Sequence, residues 1–121
     1  MKTIILRMAL GLSLAAGAAL SAQAHAKLVS ADPPINGETK AAPQNLDLLF
    51  SEEISEKLSG ATVKAADGKT IPVTTMTEAK NKGLMVMMKA PLKPGAYTVD
   101  WHAVASDDGH KTKGTYSFTV N

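Results

Sequence analysis

Beyond its first two dozen residues the chain alternates. Tyr97, Val99, Trp101 and Ala103 are apolar, and Thr98, Asp100 and His102 stand between them. Tyr116, Phe118 and Val120 alternate in the same way with Thr115, Ser117 and Thr119. Side chains of a strand point to opposite faces with a period of two. The two segments therefore predict strands that share one aromatic core face. Shorter runs predict further strands at Lys27–Ser30, Leu46–Phe50, Ala61–Ala65, Ile71–Thr75 and Leu84–Lys89. The turn signals Asp32-Pro33-Pro34, Asp67-Gly68, Asn81-Lys82-Gly83 and Pro94-Gly95 punctuate them. Asp67-Gly68 reads as the turn of a hairpin between Ala61–Ala65 and Ile71–Thr75. Ser51–Ser59 has room for a helical turn, which Gly60 limits. About seven short strands predict an all-β fold, a small Greek-key barrel or sandwich.

The first 24 residues break this pattern. Lys2 and Arg7 give a positive start, Met8–Leu20 is apolar, and the small residues Ala22 and Ala24 come next. That order is the signature of a cleaved export signal. The apolar run is short for a membrane span, which needs about 20 residues, and an uncleaved anchor is the alternative. The expected organisation is a signal peptide at 1–24 and one domain at 25–121. Cleavage would also change the charge. The whole chain carries 13 Lys plus Arg against 11 Asp plus Glu. Without Lys2 and Arg7 the charges balance and no arginine remains, so no basic surface for nucleic acid is expected. There is no cysteine, which excludes disulfides and thiolate chemistry.

Three histidines are the scarce donors. Cleavage after Ala24 would leave His25 first, with an α-amine and ring Nδ1 able to close a chelate on one metal ion. An α-amine titrates near pH 7.7–8.0, so a metal can displace its proton near neutrality. The bland reading is that His25 merely happens to stand next to the cleavage signal. Asp108 and His110 flank Gly109. They offer an oxygen and a nitrogen from neighbouring positions, although Asp-Asp-Gly also suits an ordinary polar turn. Together His25, His110 and Asp108 make three nitrogens and one oxygen. That set suits tetragonal Cu(II) better than tetrahedral Zn(II). Asp107 is the alternative oxygen, and the Asp-x-His spacing favours Asp108. His102, mid-strand, is expected to be a surface residue.

Four stretches carry a family resemblance: "HAKLVSADPPINGE" from His25, "LLFSEEI" around Ser51, "LKPGAYTVDWH" at Leu92–His102 and "DDGHKTKGTYSFTV" near the end. In order and spacing they resemble the CopC family of periplasmic copper-binding proteins, especially its short members. The resemblance implies an Ig-like or cupredoxin-like Greek-key β-barrel or sandwich in the periplasm. It implies one Cu(II), bound by the residues that match its site: His25 through both nitrogens, Asp108 and His110. It also implies that Glu52 stands beside the site, as a hydrogen-bond partner or weak ligand, with Glu53 a solvated neighbour. It further implies a carrier, buffer or donor role in copper homeostasis and resistance, with a CopD-like inner-membrane copper transporter as candidate partner. A monomer with no enzymatic activity is expected.

Some members of that family carry a second, Cu(I) site in a methionine-rich loop. Met76 stands in the corresponding region here, and Met85, Met87 and Met88 fall on the next predicted strand. Met85 and Met87 share one face and Met88 the other. These are expected to be adaptable packing residues, and no Cu(I) methionine site is expected. Two other functions compete. A histidine-brace copper monooxygenase would share the N-terminal histidine, but Asp108 would fill the position its chemistry leaves for oxygen. A metal-free Ig-like structural module would leave the coincidence of His25, Asp108 and His110 unexplained.

Overall fold

The computed structural model describes residues 25–121; the signal-peptide assignment lies outside the described residues. Nine strands form two sheets among the described residues. They are β1 (Leu28–Asp32), β2 (Glu38–Thr39), β3 (Asn45–Phe50), β4 (Gly60–Ala65), β5 (Thr70–Ile71), β6 (Val73–Glu78), β7 (Gly83–Met88), β8 (Gly95–Val104) and β9 (Lys111–Val120). One sheet runs β1-β3-β7-β6 and the other β2-β9-β8-β4-β5. All pairings are antiparallel except β2 with β9. The fold is all-β as expected. Of the two forms the sequence allowed, it is the sandwich: the sheets keep separate edges and do not close into a barrel.

The core lies where the alternation placed it. Leu46, Leu48, Phe50, Leu84 and Val86 of the first sheet meet Val63, Tyr97, Val99, Trp101, Tyr116, Phe118 and Val120 of the second. Tyr97 and Phe118 are register partners and stack at 5.5 Å, with 18° between their rings. Phe50 meets Trp101 edge-on across the sheets at 5.2 Å. This aromatic pair closes one end of the core, and truncating such a buried ring to alanine typically costs about 3–5 kcal/mol. Gly114 is the register partner of Trp101. A Cβ there would lie 2.6 Å from the indole, so only glycine lets the ring lie flat on β9.

Two sequence expectations change and a third is met. The strand expected at Ile71–Thr75 is cut at Pro72, which has no N–H to donate to a ladder. β5 completes the hairpin with β4 around Asp67-Gly68, and after Pro72 the chain joins the other sheet as β6. Ser51–Ser59 holds a single helical-type turn, as expected, closed by the Ser59 N–H on the Ser55 carbonyl at 3.0 Å. The buried Ser59 hydroxyl then accepts the Val104 N–H at 3.0 Å and ties the segment to β8. The methionines divide. Met88 packs against the core as expected. Met76 is 44 % exposed and pairs with Met85 on the solvent face of β6 and β7, because Leu84 and Val86 take the inward positions of β7.

Candidate metal centre

At the end of the sandwich closed by Phe50 and Trp101, three chain segments meet. The first is the arm 25–27, which leads into β1. Its middle residue, Ala26, is fully buried and acts as a plug. The Lys27 N–H donates to the Ser51 hydroxyl at 2.9 Å, and the Ser51 N–H donates to the Lys27 carbonyl at 2.9 Å. On the arm's other side the Thr112 hydroxyl donates to the Ala26 carbonyl at 2.9 Å. The arm is thus tied to the end of β3 and the start of β9, one from each sheet.

The second segment is the β8–β9 connection, Ala105–His110. The Ala105 N–H donates to the His110 carbonyl at 2.9 Å, and the Gly109 N–H to the Ala105 carbonyl at 3.0 Å. Gly109 takes φ +71°, a left-handed conformation that glycine adopts without a Cβ penalty. This tight reversal brings Asp108 back over His110. One Asp108 oxygen accepts the His110 backbone N–H at 3.1 Å, and the other meets its Nδ1 at 2.8 Å. The backbone N–H first, and then the ring, hold the Asp108 carboxyl below its ordinary range. Both side chains face solvent, with His110 55 % and Asp108 37 % exposed.

The third segment is Ser51–Ser55. The Ser106 N–H donates to the Glu53 carbonyl at 2.9 Å and the Ser55 N–H to the Val104 carbonyl at 2.8 Å. Ile54, fully buried, bridges Ala105. Glu52 is therefore carried on the segment that braces the Asp108–His110 loop. It is half-buried, and among the described residues no hydrogen bond joins it to either histidine. Glu53 and Asp107 are exposed.

His25 and His110 come together. Their ring centroids are 4.2 Å apart with 76° between the planes, an edge contact. Two residues from opposite ends of the domain thus bring their imidazole rings into contact. His102 does not join them. It lies on the outer face of the five-stranded sheet, its ring across Gly60, where an added Cβ would approach its Cε1 to 3.1 Å. Among the described residues no group of three or more His, Cys, Asp or Glu is gathered to hold a metal ion. His25, His110 and Asp108 nonetheless supply nitrogen and oxygen donors of the type Cu(II) prefers. The Asp108 contact occupies Nδ1 of His110 and leaves Nε2 for an ion. A carboxylate has about four lone-pair sites, so Asp108 retains capacity beyond its two contacts to His110.

Sequence reasoning singled out these three residues as candidate ligands and missed the hydrogen bonds that hold the segments carrying them. Ser51 and Thr112 carried no signal beyond being hydroxyls in a chain rich in serine and threonine.

Comparison with known proteins gives a consistent result. The CopC domain matches residues 28–121, a span that contains Asp108 and His110 and begins just after the arm. The chain is 44% identical over 118 residues to protein YobA of Escherichia coli strain K12, covering 95% of this chain and 94% of that one. It is 38% identical over 115 residues to copper resistance protein C of Escherichia coli, covering 88% and 90%. Its fold is similar to the crystal structure of PcoC, a methionine-rich copper resistance protein from Escherichia coli. The TM-score is 0.73 at 34% identity, over 81% of this chain and 100% of that one.

Proposed function

This chain belongs to the CopC family, and from that premise we propose that it is an exported copper-binding protein of the periplasm. Residues 1–24 are the signal peptide, and their removal makes His25 the first residue. The protein holds one Cu(II) as cargo, through the His25 amine and ring, a His110 ring nitrogen and an Asp108 oxygen. Glu52, on the segment that braces the Asp108–His110 loop, serves the copper-loaded site as a hydrogen-bond partner or weak ligand. Carboxylates near ligand histidines commonly fix ring orientation and raise basicity. The role is carriage, buffering or donation of copper in homeostasis and resistance, with a CopD-like inner-membrane transporter as the acceptor class. The protein works as a monomer and binds without catalysis, and the methionines take no part in the Cu(II) site.

The observation that carries this reading is the 4.2 Å edge contact between the His25 and His110 rings. Nothing in the packing of a metal-free module requires two histidines from opposite ends of the domain to meet at an exposed edge.

Mass spectrometry of the exported protein should find His25 at its N-terminus. Isothermal titration of that protein should then show one equivalent of Cu(II), with binding lost in His25→Ala. A start elsewhere than His25, or undiminished binding by His25→Ala, would overturn the site. Reductant- and oxygen-dependent turnover of a glycan would instead favour the monooxygenase reading.

A further inference from the structure

We propose that Ser51 and Thr112 are positioning residues for the metal centre, forming a two-sided clamp that presents His25 to His110 before copper arrives. This rests on the Cu(II) reading above and adds to it the device that sets the distance between the two histidines.

The arm 25–27 has few routes to order by itself. It is the first segment of the domain, and only Ala26 among its side chains is buried. An untethered chain end of this kind is ordinarily poorly ordered. Here its main-chain groups are matched from two directions. Ser51 uses its own N–H on the Lys27 carbonyl, while its hydroxyl accepts the Lys27 N–H and lies 3.4 Å from the His25 carbonyl. The register of β1 against β3 shifts between Leu28 and Ser30. Beyond that irregularity the Ser51 side chain supplies the acceptor that a regular ladder would take from the main chain.

Thr112 acts from the opposite sheet. Its hydroxyl reaches the Ala26 carbonyl at 2.9 Å and lies 3.5 Å from the carbonyl of Ala103, its register partner. Thr112 stands two residues beyond His110, at the start of β9. The arm's anchor on this side is therefore built on the same short stretch as the second histidine. Moving the arm away from Thr112 would move His25 away from His110. A binding site held in its bound arrangement avoids the ordering cost at the moment of binding. The clamp residues should therefore change how tightly copper is held without changing which atoms hold it.

The test uses the domain with His25 at its N-terminus, unsubstituted and as Thr112→Val, Thr112→Ser and Ser51→Ala. Two quantities are measured: Cu(II) affinity with the nitrogen count from EPR at saturating copper, and the rate at which an aminopeptidase removes His25 from metal-free protein. Losing one hydrogen bond of ordinary strength should weaken Cu(II) binding by up to about tenfold. We expect that loss in Thr112→Val and Ser51→Ala, with an unchanged nitrogen count and faster removal of His25. Thr112→Ser, which keeps the donor, should restore both. Unchanged affinity together with faster trimming would overturn the positioning role, and unchanged trimming would overturn the clamp itself. If Thr112→Val fails to fold, Ser51→Ala at an exposed position gives the same decision. If the unsubstituted domain takes up no Cu(II), the proposed function falls and the positioning role with it. The trimming rates would still decide whether the clamp exists.

Discussion

Two sets of metal-capable side chains lie on this sandwich, and they are held in different ways. At the end closed by Phe50 and Trp101, His25 and the Asp108–His110 pair stand on loop and arm segments that fold back on one another. On the outer face of β6 and β7, Met76 and Met85 face each other in register, and Met87 lies opposite Thr74. The methionines are placed by the sheet, which spaces directly opposed side chains about 4.5–5.5 Å apart and points them outward in parallel. The Asp108–His110 pair is placed by a turn, which folds one side chain back on the other, and the arm sets the His25 ring against the His110 ring. A strand face displays donors, whereas a reversal such as Ala105–His110 makes them converge. That contrast is the physical reason why the proposed function seats copper at the loop end and leaves the methionine face out of it.

The largest expected effect breaks the loop end directly. His110→Ala should weaken Cu(II) binding by at least about 100-fold, more than is typical for losing an outer partner of a ligand. The double variant Met76→Leu, Met85→Leu should stay within about twofold of the unsubstituted protein. Calorimetric titration of both would reverse the comparison if the methionine variant were the weaker.

A second substitution attacks the floor under the loop end. Gly114→Ala places a methyl 2.6 Å from the Trp101 ring. The ring must move against Phe50, and overpacking of this kind typically costs about 1–3 kcal/mol. Urea denaturation should show that loss, and full stability in Gly114→Ala would contradict the close contact.

The two ends also differ in how their carboxylates titrate. Asp108 is held low by hydrogen bonds from His110. Its ionised form is favoured in the folded chain, so its contribution is present above the ordinary aspartate value and is lost only as pH falls through the lowered one. Glu78, near the methionine face, is pushed the other way. Burial raises it first, and then the charge of Asp47 and a hydrogen bond to it. Its side chain lies across Gly83, where an added Cβ would come within 3.1 Å of its Cγ. A carboxyl raised on folding favours the folded state when protonated, and that advantage disappears as pH rises through the raised value. NMR titration of the metal-free domain should find Asp108 below and Glu78 above their ordinary values. The smallest expected effect is that of Glu78→Gln. It should raise stability at pH 7 by no more than about 0.5 kcal/mol and flatten its pH dependence above the ordinary glutamate range.

Much of this arrangement was legible in the sequence. The alternation of Tyr97–Ala103 and Tyr116–Val120 named both the strands and their buried face, because period-two patterning survives any topology. The candidate nitrogen donors stood out because histidine is scarce here and two of the three stand at special places. The break at Pro72 rests on one missing N–H, which the strand-forming residues on both sides mask in the local pattern. β2 is two residues long and pairs with the far end of β9, a contact no local pattern encodes. Gly114 gave no warning, since its need arises from the Trp101 ring on the neighbouring strand. Ser51 and Thr112 escaped for the same reason: a hydroxyl becomes informative only once its distant carbonyl or N–H is known.

On the proposed reading, cleavage before His25 creates the amine nitrogen of the copper site and with it the two-nitrogen chelate. Two forms of the domain decide it, one beginning at His25 and one retaining Ala24. The measurement is Cu(II) EPR with competitive titration on both. The form beginning at His25 should show three coordinating nitrogens, and the extended form should lose the amine nitrogen and at least about tenfold in affinity. Equal affinity and equal nitrogen counts in the two forms would contradict the account.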